Sequence, residues 1–129
     1  TTSLIGKTFC IWGLAFKPDT DDMREATSLV VIRELIKMGA KIQAYDPEAT
    51  EVSKLYLKDC ESEIKYCSSK YEAAEKADAL VLLTEWRTFA MPDWEELRGL
   101  LKAPILFDGR NIWDKSHPNT FEYFGIGVN

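Results

Sequence analysis

Six short apolar runs recur along the 129-residue chain, at residues 7–12, 41–45, 63–66, 79–83, 104–107 and 121–125. Segments of helical character separate the first five, at residues 28–38, 48–58, 71–76 and 93–101. The first of these places Leu29, Ile32, Leu35 and Ile36 on one face and stops at Gly39, where a left-handed helix end is wanted. In the last, Asp93 followed by Glu96 has the spacing of a capping box. Strands that alternate with helices pair in parallel, because a parallel pair needs a long crossover and a helix supplies it.

Residues 79–83 and 105–107 are apolar throughout, as suits central strands covered on both faces. Right-handed crossovers then favour an α/β, Rossmann-like doubly wound parallel sheet of about six strands, order 3-2-1-4-5-6, with helices on both faces. No repeat, low-complexity stretch or linker interrupts the pattern, so residues 1–129 are expected to form one domain, with Thr1 to Ile5 as a lead-in.

The formal charge is −5, which argues against general nucleic-acid binding; an anion site here must be local. No apolar run approaches a bilayer span, and Thr1 to Gly6 lacks the pattern of a signal peptide. Cys10, Cys60 and Cys67 have no metal-like spacing, and His117 is the only histidine. No metal site and a reduced, cytoplasmic setting are expected. Cys10 reads as a small buried apolar residue rather than a reactive thiol.

In doubly wound sheets ligands bind beyond the carboxyl ends of the strands, where the winding reverses. Three unusual segments are expected to meet there: residues 16–28 after the first strand, 84–89 after the fourth and 108–111 after the fifth. Pro18 disfavours helical angles at Lys17, restricting where its ammonium can reach; phosphate or carboxylate oxygens are suited to it, and a solvated lysine is the plain alternative. Arg24 stands near a helix start, where the dipole disfavours cations. Its partner is either an anionic ligand or simply Asp21 or Asp22. Asp22 with Glu25 resembles a capping box, although Thr27 or Ser28 could serve as cap. Asp19, Asp21 and Asp22 lack the loop glycine and distal glutamate of an EF-hand.

Arg110 follows Gly109, which admits close approach and positive φ; its guanidinium either clamps an anion or pairs with Asp108. Trp86 and Phe89 read as packing beneath a loop rather than a stacking wall. Asp46 lies at the position of a ribose-binding acid but follows Gly13 by more residues than that pattern has, and G-x-G-x-x-G is missing. A self-contained NAD site is therefore not expected.

Five strings now stand in order: Ile11-Trp12-Gly13-Leu14-Ala15-Phe16-Lys17-Pro18-Asp19-Thr20-Asp21-Asp22-Met23-Arg24-Glu25, Tyr45-Asp46-Pro47, Thr84-Glu85-Trp86, Phe107-Asp108-Gly109-Arg110-Asn111 and Tyr123-Phe124-Gly125-Ile126-Gly127. Together they resemble the C-terminal domain of the UDP-glucose/GDP-mannose dehydrogenase family and lean toward its UDP-glucose 6-dehydrogenase branch. The resemblance covers nearly the whole chain. It implies an NAD-dependent, four-electron oxidation of UDP-glucose to UDP-glucuronate by a longer protein. In that family an N-terminal domain binds NAD, a central helical region carries homo-oligomerisation, and the C-terminal domain closes over the UDP-sugar.

Carried over by position, the resemblance implies that Phe16, Lys17 and Arg110 contact the UDP-sugar. Arg24 would reach NAD across the domain interface. The family's G-x-C-x-P-K-D nucleophile setting is absent, so no catalytic residue is assigned, and the chain alone is expected to be inactive. Thr27 stands where a proline is common, and Gly127-Val128-Asn129 lacks a frequent arginine. Alternatives are a stand-alone nucleotide-binding or regulatory module, and a related dehydrogenase acting on GDP-mannose, UDP-N-acetylglucosamine or UDP-N-acetylmannosamine.

Overall fold

The computed structural model describes residues 3–126. Its six strands are β1 (Thr8–Trp12), β2 (Lys41–Tyr45), β3 (Ile64–Tyr66), β4 (Ala79–Leu82), β5 (Ile105–Asp108) and β6 (Glu122–Gly125). The helices are α1 (Thr27–Lys37), α2 (Thr50–Tyr56), α3 (Lys70–Ala74) and α4 (Trp94–Leu100). The strands form one all-parallel sheet in the order β3-β2-β1-β4-β5-β6, the doubly wound order read from the alternation.

Local chemistry sets where the helices begin and end. Gly39 has φ 105° and its N–H bonds the Ile36 carbonyl, so α1 stops where a left-handed residue is available. Asp93 caps α4 by accepting from the Glu96 N–H at 3.1 Å. The second helix starts later than residue 48, because Asp46 Oδ1 draws the Glu48 and Ala49 N–H groups into a side-chain turn first. It also ends at Tyr56 and gives way to a 3₁₀ segment, Lys58–Glu63.

The Asp22–Glu25 capping box does not form. Asp22 Oδ1 accepts from the Arg24 N–H, Glu25 takes φ 58°, and the cap position of α1 is Ala26, without a side-chain cap bond. Ser28 turns inward instead and donates to the Leu14 carbonyl at 2.6 Å.

One side of the sheet is packed shut. Cys10, Trp12, Leu80, Leu82 and Leu106 are all fully buried there. Trp12 stacks on Phe89 with centroids 5.0 Å apart and meets Trp113 edge-on at 5.9 Å. Phe89 and Trp113 come from the segments that follow β4 and β5. The Trp113 indole N–H donates to the Phe89 carbonyl, joining these two segments beneath the sheet's carboxyl end. Trp86 and Phe89 are thus packing residues, as their apolar setting suggested.

Candidate functional site

The segments after β1, β4 and β5 converge, and two buried aspartates organise them. Asp46, at the end of β2, accepts five N–H donors. Oδ2 takes the Leu14 and Ala15 amides at 2.7 and 3.0 Å and the Trp86 indole at 3.1 Å; Oδ1 takes the Glu48 and Ala49 amides. A buried carboxylate without an ion-pair partner among the described residues is sustained by such a ring of donors. Asp108, at the end of β5, accepts from the Arg110 and Trp113 amides and the Tyr123 hydroxyl. Burial and that bond to Asp108 push the Tyr123 phenol far above its usual pKa.

The first segment is seated against the fourth strand's end. Gly13 has φ 98°, and a Cβ there would lie 2.5 Å from the Thr84 backbone nitrogen. Only glycine allows this approach. Thr84 Oγ1 then donates to the Ala15 carbonyl at 2.6 Å, one residue before Phe16. The Phe16 N–H bonds the Asp22 carbonyl at 2.7 Å and closes the loop that carries Lys17. Phe16 is half exposed and Lys17 exposed, so both face outward from a fixed base.

Arg110 reaches back to the segment after β4. Its Nε and a terminal nitrogen donate to the two oxygens of Glu85 at 3.0 and 3.2 Å. The alternative pairing with Asp108 does not occur; only the Arg110 backbone N–H uses that carboxylate. Burial drives the Glu85 pKa upward, but the Arg110 hydrogen bond, its own backbone amide and the guanidinium charge together hold it below the usual value. Gly109 does not adopt positive φ. It is needed for space, since a Cβ would meet the Leu82 carbonyl oxygen at 2.8 Å.

Phe16, Lys17 and Arg110 therefore belong to one linked structure, joined through Ala15–Thr84 and Glu85–Arg110. Arg24 stands apart from that linkage. Its side chain is 80% exposed and its guanidinium folds back on Asp22, rather than on Asp21, of the two aspartates open to it. That hydrogen bond holds the Asp22 carboxyl below, and the Arg24 guanidinium above, their ordinary pKa values. No ion pair engages Lys17 among the described residues, which leaves its ammonium available to an anion.

The residues expected to meet a ligand, Phe16, Lys17, Arg24 and Arg110, are exposed; the frame-building role of Asp46, Thr84, Glu85, Asp108 and Tyr123 was missed. Gly13 and Gly109 were the available signal, because each marks a backbone crossing that needs an organiser. Gly127, Val128 and Asn129 lie outside the described residues. Among the described residues no group of three or more His, Cys, Asp or Glu is placed to hold a metal ion.

The thiols are poorly suited to nucleophilic work. Burial raises Cys10 well above its ordinary pKa and raises Cys67 to about 11. Cys67 therefore carries far less thiolate at pH 8 than an unperturbed cysteine. Native-state alkylation at that pH should label the partly exposed Cys60 first and leave Cys10 and Cys67 largely unmodified. Equal labelling of all three would show that the sheet opens on that timescale.

A family model described as the UDP-glucose/GDP-mannose dehydrogenase family, UDP binding domain, matches residues 10–115. The chain is similar to the UDP-glucose 6-dehydrogenase of Pseudomonas aeruginosa, with 42% identity over 95% of this chain and 28% of that protein. It is 39% identical to the UDP-glucose 6-dehydrogenase of Rhizobium meliloti, again over 95% of this chain and 28% of the relative. Among solved structures, a UDP-glucose dehydrogenase from Pyrobaculum islandicum superposes with TM-score 0.80 at 26% identity, covering 98% of this chain and 27% of that one. A UDP-D-ManNAc dehydrogenase from Pyrococcus horikoshii gives TM-score 0.74 at 27% identity, covering 95% and 26%. The chain thus spans little more than a quarter of the length of these relatives. With the strand order, the glycine-gated crossing and the matched residues in agreement, the chain belongs to the UDP-glucose/GDP-mannose dehydrogenase family, as its UDP-binding domain.

Proposed function

We propose that the chain is the C-terminal UDP-sugar-binding domain of a longer, cytoplasmic NAD-dependent UDP-glucose 6-dehydrogenase. The reaction of the whole protein would oxidise UDP-glucose, with two NAD, to UDP-glucuronate. The observation that carries the reading is the exposed Lys17 ammonium, without an ion pair among the described residues, on a loop that Asp46 and Thr84 tie to the segment bearing Arg110. Lys17 and Arg110 would bind the diphosphate as a point charge and a planar fork, with Phe16 packing beside the nucleotide sugar. Glu85 would share or yield the Arg110 guanidinium when the anion arrives.

The crevice does not fit NAD itself. The Leu14 and Ala15 amides, which would face a pyrophosphate, already donate to Asp46, and both Asp46 oxygens are occupied where a ribose would need one. NAD would be held by the rest of the polypeptide, with Arg24 reaching toward it from the surface. The nucleophile and the oligomer contacts would likewise come from outside this chain, which alone would be inactive.

In the whole protein, Lys17→Ala and Arg110→Ala are expected to raise KM for UDP-glucose by about one to two powers of ten, the value of a charged contact of about 1.5–3 kcal/mol. Arg24→Ala should weigh on the KM for NAD instead. Folded variants with the same loss for both ligands would refute this division. A second reading, a UDP-N-acetylmannosamine substrate, is favoured by the Pyrococcus horikoshii relative. Steady-state rates with both sugars decide between them.

A further inference from the structure

Glu85 engages only part of the Arg110 guanidinium. That group offers five N–H donors in one plane, along edges that can each take a two-oxygen acceptor. Glu85 takes the side-on edge: Oε1 accepts from Nε at 3.0 Å and Oε2 from Nη2 at 3.2 Å. The end-on edge, Nη1 with the second hydrogen of Nη2, has no partner among the described residues. An anion with paired oxygens can use that edge while Glu85 keeps its own.

The main chain around the pair is pinned. Thr84 donates to the Ala15 carbonyl and the Trp86 indole to Asp46, so Glu85 stands between two anchored neighbours. The Trp86 N–H also bonds the Thr84 carbonyl at 3.0 Å, which turns the chain tightly at Glu85. On the other segment, the Arg110 N–H is held by Asp108. Asn111 takes φ 58°, and its carboxamide brackets the main chain of Ile126, accepting from the N–H at 2.8 Å and donating to the carbonyl. What this leaves free is the long Arg110 side chain, whose rotamer entropy a ligand would otherwise have to remove. The Glu85 fork removes it beforehand. The two side chains are 36% and 35% exposed, and a bidentate, partly shielded pair of this kind holds its geometry better than an open surface pair. Thr84 holds the segment of Phe16 and Lys17, and Glu85 beside it holds Arg110, so one dipeptide ties both cations to the end of β4.

The geometry points to Glu85 as a positioning residue: by occupying the Nε edge of Arg110 it aims the Nη1/Nη2 edge at the diphosphate of the nucleotide sugar, and it stays in place when the ligand binds. The inference rests on the reading that Arg110 meets that diphosphate, and it gives an acidic side chain a constructive part in an anion site. A carboxylate that merely stood near the ligand would oppose it, by repulsion and by competing for the same cation. The sign of the effect of removing it therefore separates the two roles.

The test is calorimetric titration of the full-length protein with UDP, which carries the diphosphate and no hexose. Glu85→Gln nearly keeps the side-chain volume but has a single acceptor oxygen, so it cannot hold both Arg110 donors. It should weaken UDP binding about two- to tenfold, as expected for freeing one rotamer-rich side chain, and leave NAD binding unchanged. In an Arg110→Ala background the same substitution should cause no further weakening, a dependence that a merely structural role would not show. Glu85→Asp keeps the carboxylate but falls short by one methylene; it carries the same expectation and keeps the test open should Glu85→Gln fold poorly. Unchanged or tighter UDP binding by a folded Glu85 variant overturns the inference, as do an undiminished loss in the Arg110→Ala background and equal losses for UDP and NAD. Full-strength UDP binding by Arg110→Ala alone is the separate result that refutes the proposed Arg110 contact, and with it the part given to Glu85.

Discussion

Asp46→Asn is expected to lower the stability of the domain by about 3–5 kcal/mol, nearly as much as Asp46→Ala, although it removes no heavy atom. The carboxylate accepts five N–H groups, three on Oδ2 and two on Oδ1. A carboxamide has one acceptor oxygen, so in either orientation its NH₂ faces donors that cannot accept. With the amide oxygen toward Leu14, Ala15 and Trp86, the Glu48 and Ala49 amides lose their partner; in the other orientation, three donors do. Chemical denaturation followed by near-ultraviolet circular dichroism would report both the loss and the release of Trp86. If the proposed function holds, any variant that still folds should also bind UDP-sugar more weakly in the whole protein, because the base of the Lys17 loop is no longer fixed. A midpoint within about 1 kcal/mol of the parent would mean that this ring of bonds contributes little.

Gly13→Ala should be comparably damaging for a steric reason. Left-handed backbone at an alanine costs about 1–2 kcal/mol. The added methyl would also lie 2.5 Å from a backbone nitrogen of Thr84, which no side-chain rotation relieves. Overpacking of this kind costs about 1–3 kcal/mol, for a total of about 2–5 kcal/mol. For a domain of this size that is a fall in Tm of about 10–20 °C. Gly99→Ala is the control. It lies within α4 with nothing within 4 Å of the added carbon, so it should be neutral or stabilising by up to about 1 kcal/mol. If both substitutions moved Tm equally, the crossing at Gly13 would not be as tight as described.

The architecture was legible because one period repeats. Each apolar run became a strand, and the crossover rule turned six runs into a single order. Errors gathered where a side chain outcompeted local pattern. The second helix was expected from residue 48, but Asp46 holds the two amides that would have opened it. Asp22 looked like a helix cap by spacing, yet it turns onto Arg24 two residues away.

Within the site, topology brought the correct three segments together before any contact was known. The pairing inside them was less accessible. Arg110 had an acid two residues before it and chose Glu85, 25 positions away, because Asp108 was already taken by amides and a phenol. Bonds from a carboxylate to backbone 31 and 32 residues distant leave no mark in local composition, so the role of Asp46 could not be seen there.

Asp46 and Asp108 grip mostly main chain. Of their eight bonds, only those from Trp86 and Tyr123 come from side chains. Main-chain donors are the same whatever residue carries them, so the scaffold is indifferent to the identity of the groups displayed on it. Phe16, Lys17 or Arg110 can be exchanged while the brace beneath them keeps its shape. Such a separation of chassis from fittings leaves a few outward residues free to change, without renegotiating the domain's own stability each time.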